Sequence, residues 1–166
     1  QSSPKFANCV ITENLANIYG GGMYNQDSSP SLVQCVFAHN SATHGGGGIY
    51  NSRGRAQDLF FSYPMLGNCV FLGNSAIRGG GLYNDSSSST INNSVFADNQ
   101  SDYRGGGVYN TGSSPTINNC AFTGNSAIKG GALYTTTGST TIQNSIFHKN
   151  TTGIEVGHGI EGGWSN

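Results

Sequence analysis

Eight carboxylates (Glu13, Asp27, Asp58, Asp85, Asp98, Asp102, Glu155 and Glu161) and four histidines (His39, His44, His148 and His158) are the side chains best suited to acid–base or metal chemistry. Hydrolysis of a polysaccharide asks for two carboxyl groups about 5–9.5 Å apart, one protonated and one ionised. Lyase chemistry asks for a basic residue beside acidic calcium ligands. The histidines show none of the short spacings of a metal site, so no metal and no cofactor is expected. Glycine runs such as Gly20–Gly22 resemble phosphate loops, but a strand-like segment follows each and no lysine does. They read as turns.

Composition narrows the classes. The chain has 166 residues, 9% charged, with a net charge of −1, against about 25% charged in an ordinary soluble domain. No basic patch suggests nucleic acid, and no apolar run is long enough to insert in a bilayer. Eight Tyr and eight Phe argue for a folded chain rather than a disordered one. The opening residues lack the basic start and apolar run of a secretory signal, as expected of a mature secreted chain or a piece of one.

Two motifs recur in register and decide the fold. "FAHN", "FLGN", "FADN", "FTGN" and "FHKN" end at Asn40, Asn74, Asn99, Asn125 and Asn150, with "VITEN" at Asn14 a weaker sixth copy. "GGGMYN", "GGGIYN", "GGGLYN", "GGGVYN" and "GGALYT" follow in step. Successive asparagines are 26, 34, 25, 26 and 25 residues apart. Short β-branched and aromatic runs between Gly, Asn and Ser turns, without hairpin signals, predict an all-β parallel solenoid of about six coils. At about 4.8 Å per coil the rod is about 29 Å long. Residues 1–150 form the array; 151–166 read as an irregular final coil or cap, with Trp164 placed to cover the core.

Stacking turns each position into a column. Phe37, Phe71, Phe96, Phe122 and Phe147, with Ile11 before them, predict an aromatic stack inside the rod. Asn14, Asn40, Asn74, Asn99, Asn125 and Asn150 predict an amide ladder at a left-handed turn. Asn8, Gln34, Asn68, Asn93, Asn119 and Asn144 predict a second one. Cys9, Cys35, Cys69 and Cys120 share a column with Ser94 and Ser145. In-register neighbours sit about 4.8 Å apart, beyond the usual Cβ separation of about 3.5–4.5 Å in a disulfide, so they read as buried thiols.

The FxxN and GGA-[ILV] signatures resemble those of the chlamydial polymorphic outer membrane proteins. The fuller form, SSPT-I-x-N-C-x-F-x-x-N-S-A-x-x-G-G-G-[LIVM]-Y-N, resembles right-handed parallel β-helix repeats of bacterial secreted and surface proteins. Only Gly130–Leu133 has the GGA form. The resemblance implies a right-handed helix, an extracellular or cell-surface location, and structural or adhesive roles.

The register also weighs the chemistry. Glu13 and Asp98 share a column but lie three coils, about 14 Å, apart, too far for either glycosidase geometry. Asp98 and Asp102 flank one turn and read as solvated residues. Met23, Ile49, Leu82, Val108 and Leu133 read as an aliphatic core column, and Tyr24, Tyr50, Tyr83, Tyr109 and Tyr134 alternate outward from it, as a stripe that stacks on sugar rings or covers the sheet. Val10, Val36, Val70, Val95, Ala121 and Ile146 form an apolar column. Residues 52–63 lengthen one coil and carry Arg53, Arg55, Asp58, Phe60 and Phe61, a candidate binding loop. The leading coil carries no cap, which fits a longer rod or head-to-tail self-association. The expectation is a non-enzymatic extracellular rod, binding its own copies and host or matrix glycans or proteins. A carbohydrate-active enzyme or glycan-binding module is the alternative.

Overall fold

The computed structural model describes residues 3–54 and 62–156. Its 22 short strands are all parallel to their partners and fall into four faces. Face A runs from Lys5–Ala7 to Thr141–Gln143, and face B from Val10–Thr12 to Ile146–His148, six strands each. Face C holds four strands, from Leu15–Ala16 to Gln100–Arg104. Face D holds six, from Met23–Gln26 to Ile154–Val156, so residues 154–156 continue the stack. The first four coils visit A, B, C and D in turn, the last two pass face C without a strand, and five full turns separate the first and last strands of face A.

The register is column on column. Phe71 pairs with Phe37 and Phe96, and Phe122 with Phe96 and Phe147. The rings of Phe71, Phe96 and Phe122 stack 4.5 and 4.8 Å apart, within 2° of parallel. Leu32, Leu66, Ile91 and Ile117 from face A and Ile49, Leu82, Val108 and Leu133 from face D complete a core at 0–1% exposure. The phenylalanine and face D columns are the interior predicted from alternation; the face A column joins them.

Two corners depend on left-handed backbone. Between A and B, Asn8, Gln34, Asn68, Asn93, Asn119 and Asn144 take φ of 49–55°. That column was expected to be an amide ladder; it is instead a solvent-facing turn column, with one side-chain bond, Asn144 Nδ2 to Asn118 Oδ1. Between B and C, positive φ falls on Glu13, His39, Gly73, Asp98, Gly124 and Lys149, one residue before the asparagines expected to hold it. The corner needs a left-handed residue and an inward amide, and the chain divides the tasks between neighbours.

The glycine runs solve a third corner. Gly105 has φ of +66°, and a Cβ there would lie 2.4 Å from the carbonyl oxygen of Val108. The chain therefore doubles back on itself, which only a bare backbone permits. At the third glycine of a run, a Cβ on Gly81 would stand 3.0 Å from Cδ1 of Phe96 in the next coil, and one on Gly107 3.1 Å from Cδ1 of Phe122. Glycine run and phenylalanine recur together because they touch.

Candidate functional site

The asparagine ladder ties the coils together. The backbone N–H and Nδ2 of Asn74 both donate to Oδ1 of Asn99, at 3.1 and 2.9 Å, and Nδ2 also donates to the carbonyl of Phe37 at 2.9 Å. Asn40, Asn99 and Asn125 repeat the pattern on Asn74, Asn125 and Asn150. Asn40, Asn74, Asn99 and Asn125 are fully buried, and Asn14 is exposed at the leading edge. A second ladder, not anticipated, runs inside face D: Nδ2 of Asn25, Asn51 and Asn84 donates to Oδ1 of Asn51, Asn84 and Asn110 at 2.8, 3.0 and 2.9 Å. Alternation carried the signal, since Met23 points in, Tyr24 out and Asn25 in again.

The thiol column behaves as expected. All four cysteines are free, and Cys35, Cys69 and Cys120 are buried. Each Sγ donates to the carbonyl two residues back, as Cys120 does to Asn118 at 3.2 Å; Ser94 Oγ does the same to Asn92 at 2.9 Å. The bond explains why serine can stand in the column. Burial pushes the Cys69 and Cys120 thiols above the ordinary value, which keeps them protonated and unreactive. Under native conditions maleimide is expected to label Cys9 first; Cys35, Cys69 and Cys120 react only when denaturant opens the rod. Peptide mass spectrometry reads the order.

The tyrosines overturn the exposed stripe. Tyr50, Tyr83, Tyr109 and Tyr134 point out of face D, yet they are only 4–9% exposed; Tyr24, at the leading coil, is 49% exposed. The cause is the doubling-back of face C at its glycines. The residues just before each turn (Tyr19, Arg78, Arg104 and Lys129) form a ridge that closes over the rings. Tyr19 stacks on Tyr50 at 4.4 Å, and the Arg104 guanidinium lies 5.0 Å from the Tyr134 ring and 4.5 Å from Tyr103. Gly45 leaves a gap in the ridge, and the Tyr83 ring turns into it: a Cβ at Gly45 would meet its Cδ1. Tyr83 accordingly packs edge-on against Tyr50 and Tyr109, at 83° and 66°. Lys129 ends the ridge in an exposed pair with Glu155 at 3.9 Å, a contact of little energy.

Burial, with Asp85 close by, raises the phenols of Tyr50 and Tyr83 well above the ordinary range; Tyr50 donates to Asp85 Oδ2 at 2.9 Å. A raised phenol favours the protonated form in the fold. Its stabilising effect is complete below the unfolded value of about 10 and is lost as pH climbs above it. Alkaline titration followed by phenolate absorbance is expected to show Tyr50 and Tyr83 ionising only with loss of the fold.

The remaining candidates are dispersed. Asp98 reaches over Gly124 of the next coil, whereas Asp102 lines a groove of about 440 Å³ on face C with Ser41, Thr43, Ser75, Ile77 and Gln100. Asp102 is the one carboxylate among its lining residues. No three His, Cys, Asp or Glu gather within reach of one metal ion among the described residues. In the candidate loop Arg53 is described, its backbone N–H bonded to the Asp85 carbonyl at 3.0 Å. Arg55, Asp58, Phe60 and Phe61 lie outside the described residues, as does the tail that includes Trp164.

Comparison with curated proteins and with solved structures finds no match. The family model for a right-handed β-helix region matches residues 1–161. With its four parallel faces and stacked columns, the chain belongs to the right-handed β-helix family.

Proposed function

We propose that this chain is a non-enzymatic, extracellular structural or adhesive rod of a bacterial surface. The observation that carries this reading is how the interior amides are used. Those of Asn40, Asn74, Asn99 and Asn125 all bond to neighbouring coils, and so serve the stack rather than a site. The resemblance to polymorphic outer membrane repeats supports the location. Self-association along the axis is part of the proposal, because the open strand edges of a coil can pair with another coil of the same repeat. Glycans or proteins of a host or matrix are the proposed adhesion targets, with residues 52–63 as the contacting loop.

The competing reading, a carbohydrate-active enzyme or glycan-binding module, draws on the groove beside Asp102. Incubation of the purified chain with neutral and anionic polysaccharides separates the two. No new reducing ends or unsaturated products are expected, and either product overturns the proposal. Replacing residues 52–63 with a short Ser-Gly turn is expected to keep a cooperative melt and abolish adhesion.

A further inference from the structure

Face D has its outward rings covered by the chain's own ridge, whereas no described segment lies over face B. Each strand of face B sends one residue inward, the phenylalanine column, and two outward. The outward residues make two straight columns about 7 Å apart. One is the branched set from Val10 to Ile146, broken only by Ala121; the other runs Thr12, Ala38, Leu72, Ala97, Thr123 and His148. A bulky ridge thus lies beside a mostly shallow furrow along the rod. None of these positions holds Lys, Arg, Asp or Glu. Val10 and Ile146 are 69% and 67% exposed, and Val36, Val70 and Val95 are partly exposed.

The geometry points to face B as a lateral docking surface for a second copy of this chain, the two rods parallel and related by a two-fold axis along their length. That operation exchanges the columns, so the ridge of each copy enters the furrow of the other; a two-fold axis across the rod sets ridge on ridge. A second copy is the fitting occupant because it carries the same axial repeat and column spacing, and because an uncharged surface offers a polyanion nothing. Six strands at about 4.8 Å and three residues at about 3.3 Å give about 290 Å² per copy. A standard interface takes about 800 Å² per partner. The contact is therefore weak for one segment and grows with every coil added, which suits bundling of rods rather than a tight dimer.

This inference builds on the rod reading but uses a different surface from the axial edge, so the two can fail separately. Sedimentation and small-angle scattering of the purified chain, followed to high concentration, should show rising mass with the cross-section of two rods abreast. Replacing Val36 and Val95 together with lysine leaves the leading edge intact and should weaken association at least tenfold. If that pair disturbs the melt, Val36→Thr with Val95→Thr keeps the β-branched shape and should weaken it in the same direction. Leu72→Ala deepens the furrow and should leave association equal or stronger. Wild-type association by the lysine pair, or by the threonine pair where that stands in for it, overturns the inference. Loss on Leu72→Ala as large as that pair's overturns it too, because loose apolar contact would then suffice. Growth with the cross-section of a single rod refutes lateral docking and leaves axial stacking standing.

Discussion

Replacing Phe96 with alanine is expected to cost about 3–5 kcal/mol in a denaturant or thermal melt. Phe96 is 0% exposed and its ring stacks on Phe71 at 4.5 Å and Phe122 at 4.8 Å. The register fixes those neighbours from both sides, so neither ring can slide into the space without breaking strand pairing. The bare Gly81, already close to the Phe96 ring, cannot fill it either. The cavity stays open, and the cost lies toward the top of the range. A change below about 1 kcal/mol would remove the close-packed stack from the account of stability.

The second large effect belongs to Asn99. Asn99→Ala strips the acceptor from the backbone N–H and Nδ2 of Asn74 and the donor from the carbonyl of Phe71. These groups are buried where water does not reach them, and buried unpaired groups cost about 1–3 kcal/mol each. A loss of about 3–5 kcal/mol is expected, part of it offset by relaxation of the turn. Asn93→Ala is the control. Its side chain is exposed and its role is a left-handed backbone with φ of 51°, so about 1–2 kcal/mol is expected, and Asn93→Gly should restore it. Equal losses at Asn99 and Asn93 in parallel melts would refute the division of labour between turn and ladder.

How much of this the sequence discloses depends on which constraint a column obeys. Volume and polarity leave a clear trace: the phenylalanine stack, the thiol column and the Asn14–Asn150 ladder are legible because each admits only one or two residue types. Backbone conformation leaves a faint one. Glu13, His39, Gly73, Asp98, Gly124 and Lys149 share a positive φ but no chemistry, so the eye assigns the left-handed turn to the uniform asparagine beside them. The tyrosines show a different limit. Period-two alternation places Tyr83 outside the sheet correctly, but it cannot tell what else lies outside. The covering ridge arises from a reversal at the glycines, and the fit of Tyr83 depends on the missing side chain of Gly45. The ladder from Asn25 to Asn110 follows from the same alternation, which turns Asn25 inward once Tyr24 beside it turns outward.

Both asparagine ladders run the same way. Nδ2 of Asn14 donates to Asn40 and Nδ2 of Asn25 to Asn51, and each link after them hands its hydrogen toward the higher-numbered coil. Amide dipoles aligned in file add up, as peptide dipoles do along an α-helix, leaving partial charge of opposite sign at the two ends. Here the lower-numbered end gathers the negative pole, the side-chain oxygens of Asn14 and Asn25, and the higher-numbered end the positive pole, where Asn110 hands its hydrogens on to Thr135 and Thr140 and Asn150 to the Phe122 carbonyl. The rod thus has an electrical sense as well as a chain sense. In the axial stacking proposed above, a coil laid against the lower-numbered end would present its amide hydrogens to these oxygens, whereas two lower-numbered ends would set oxygen against oxygen. Axial stacking of the kind proposed above would therefore be polar, its two ends differing in what they accept.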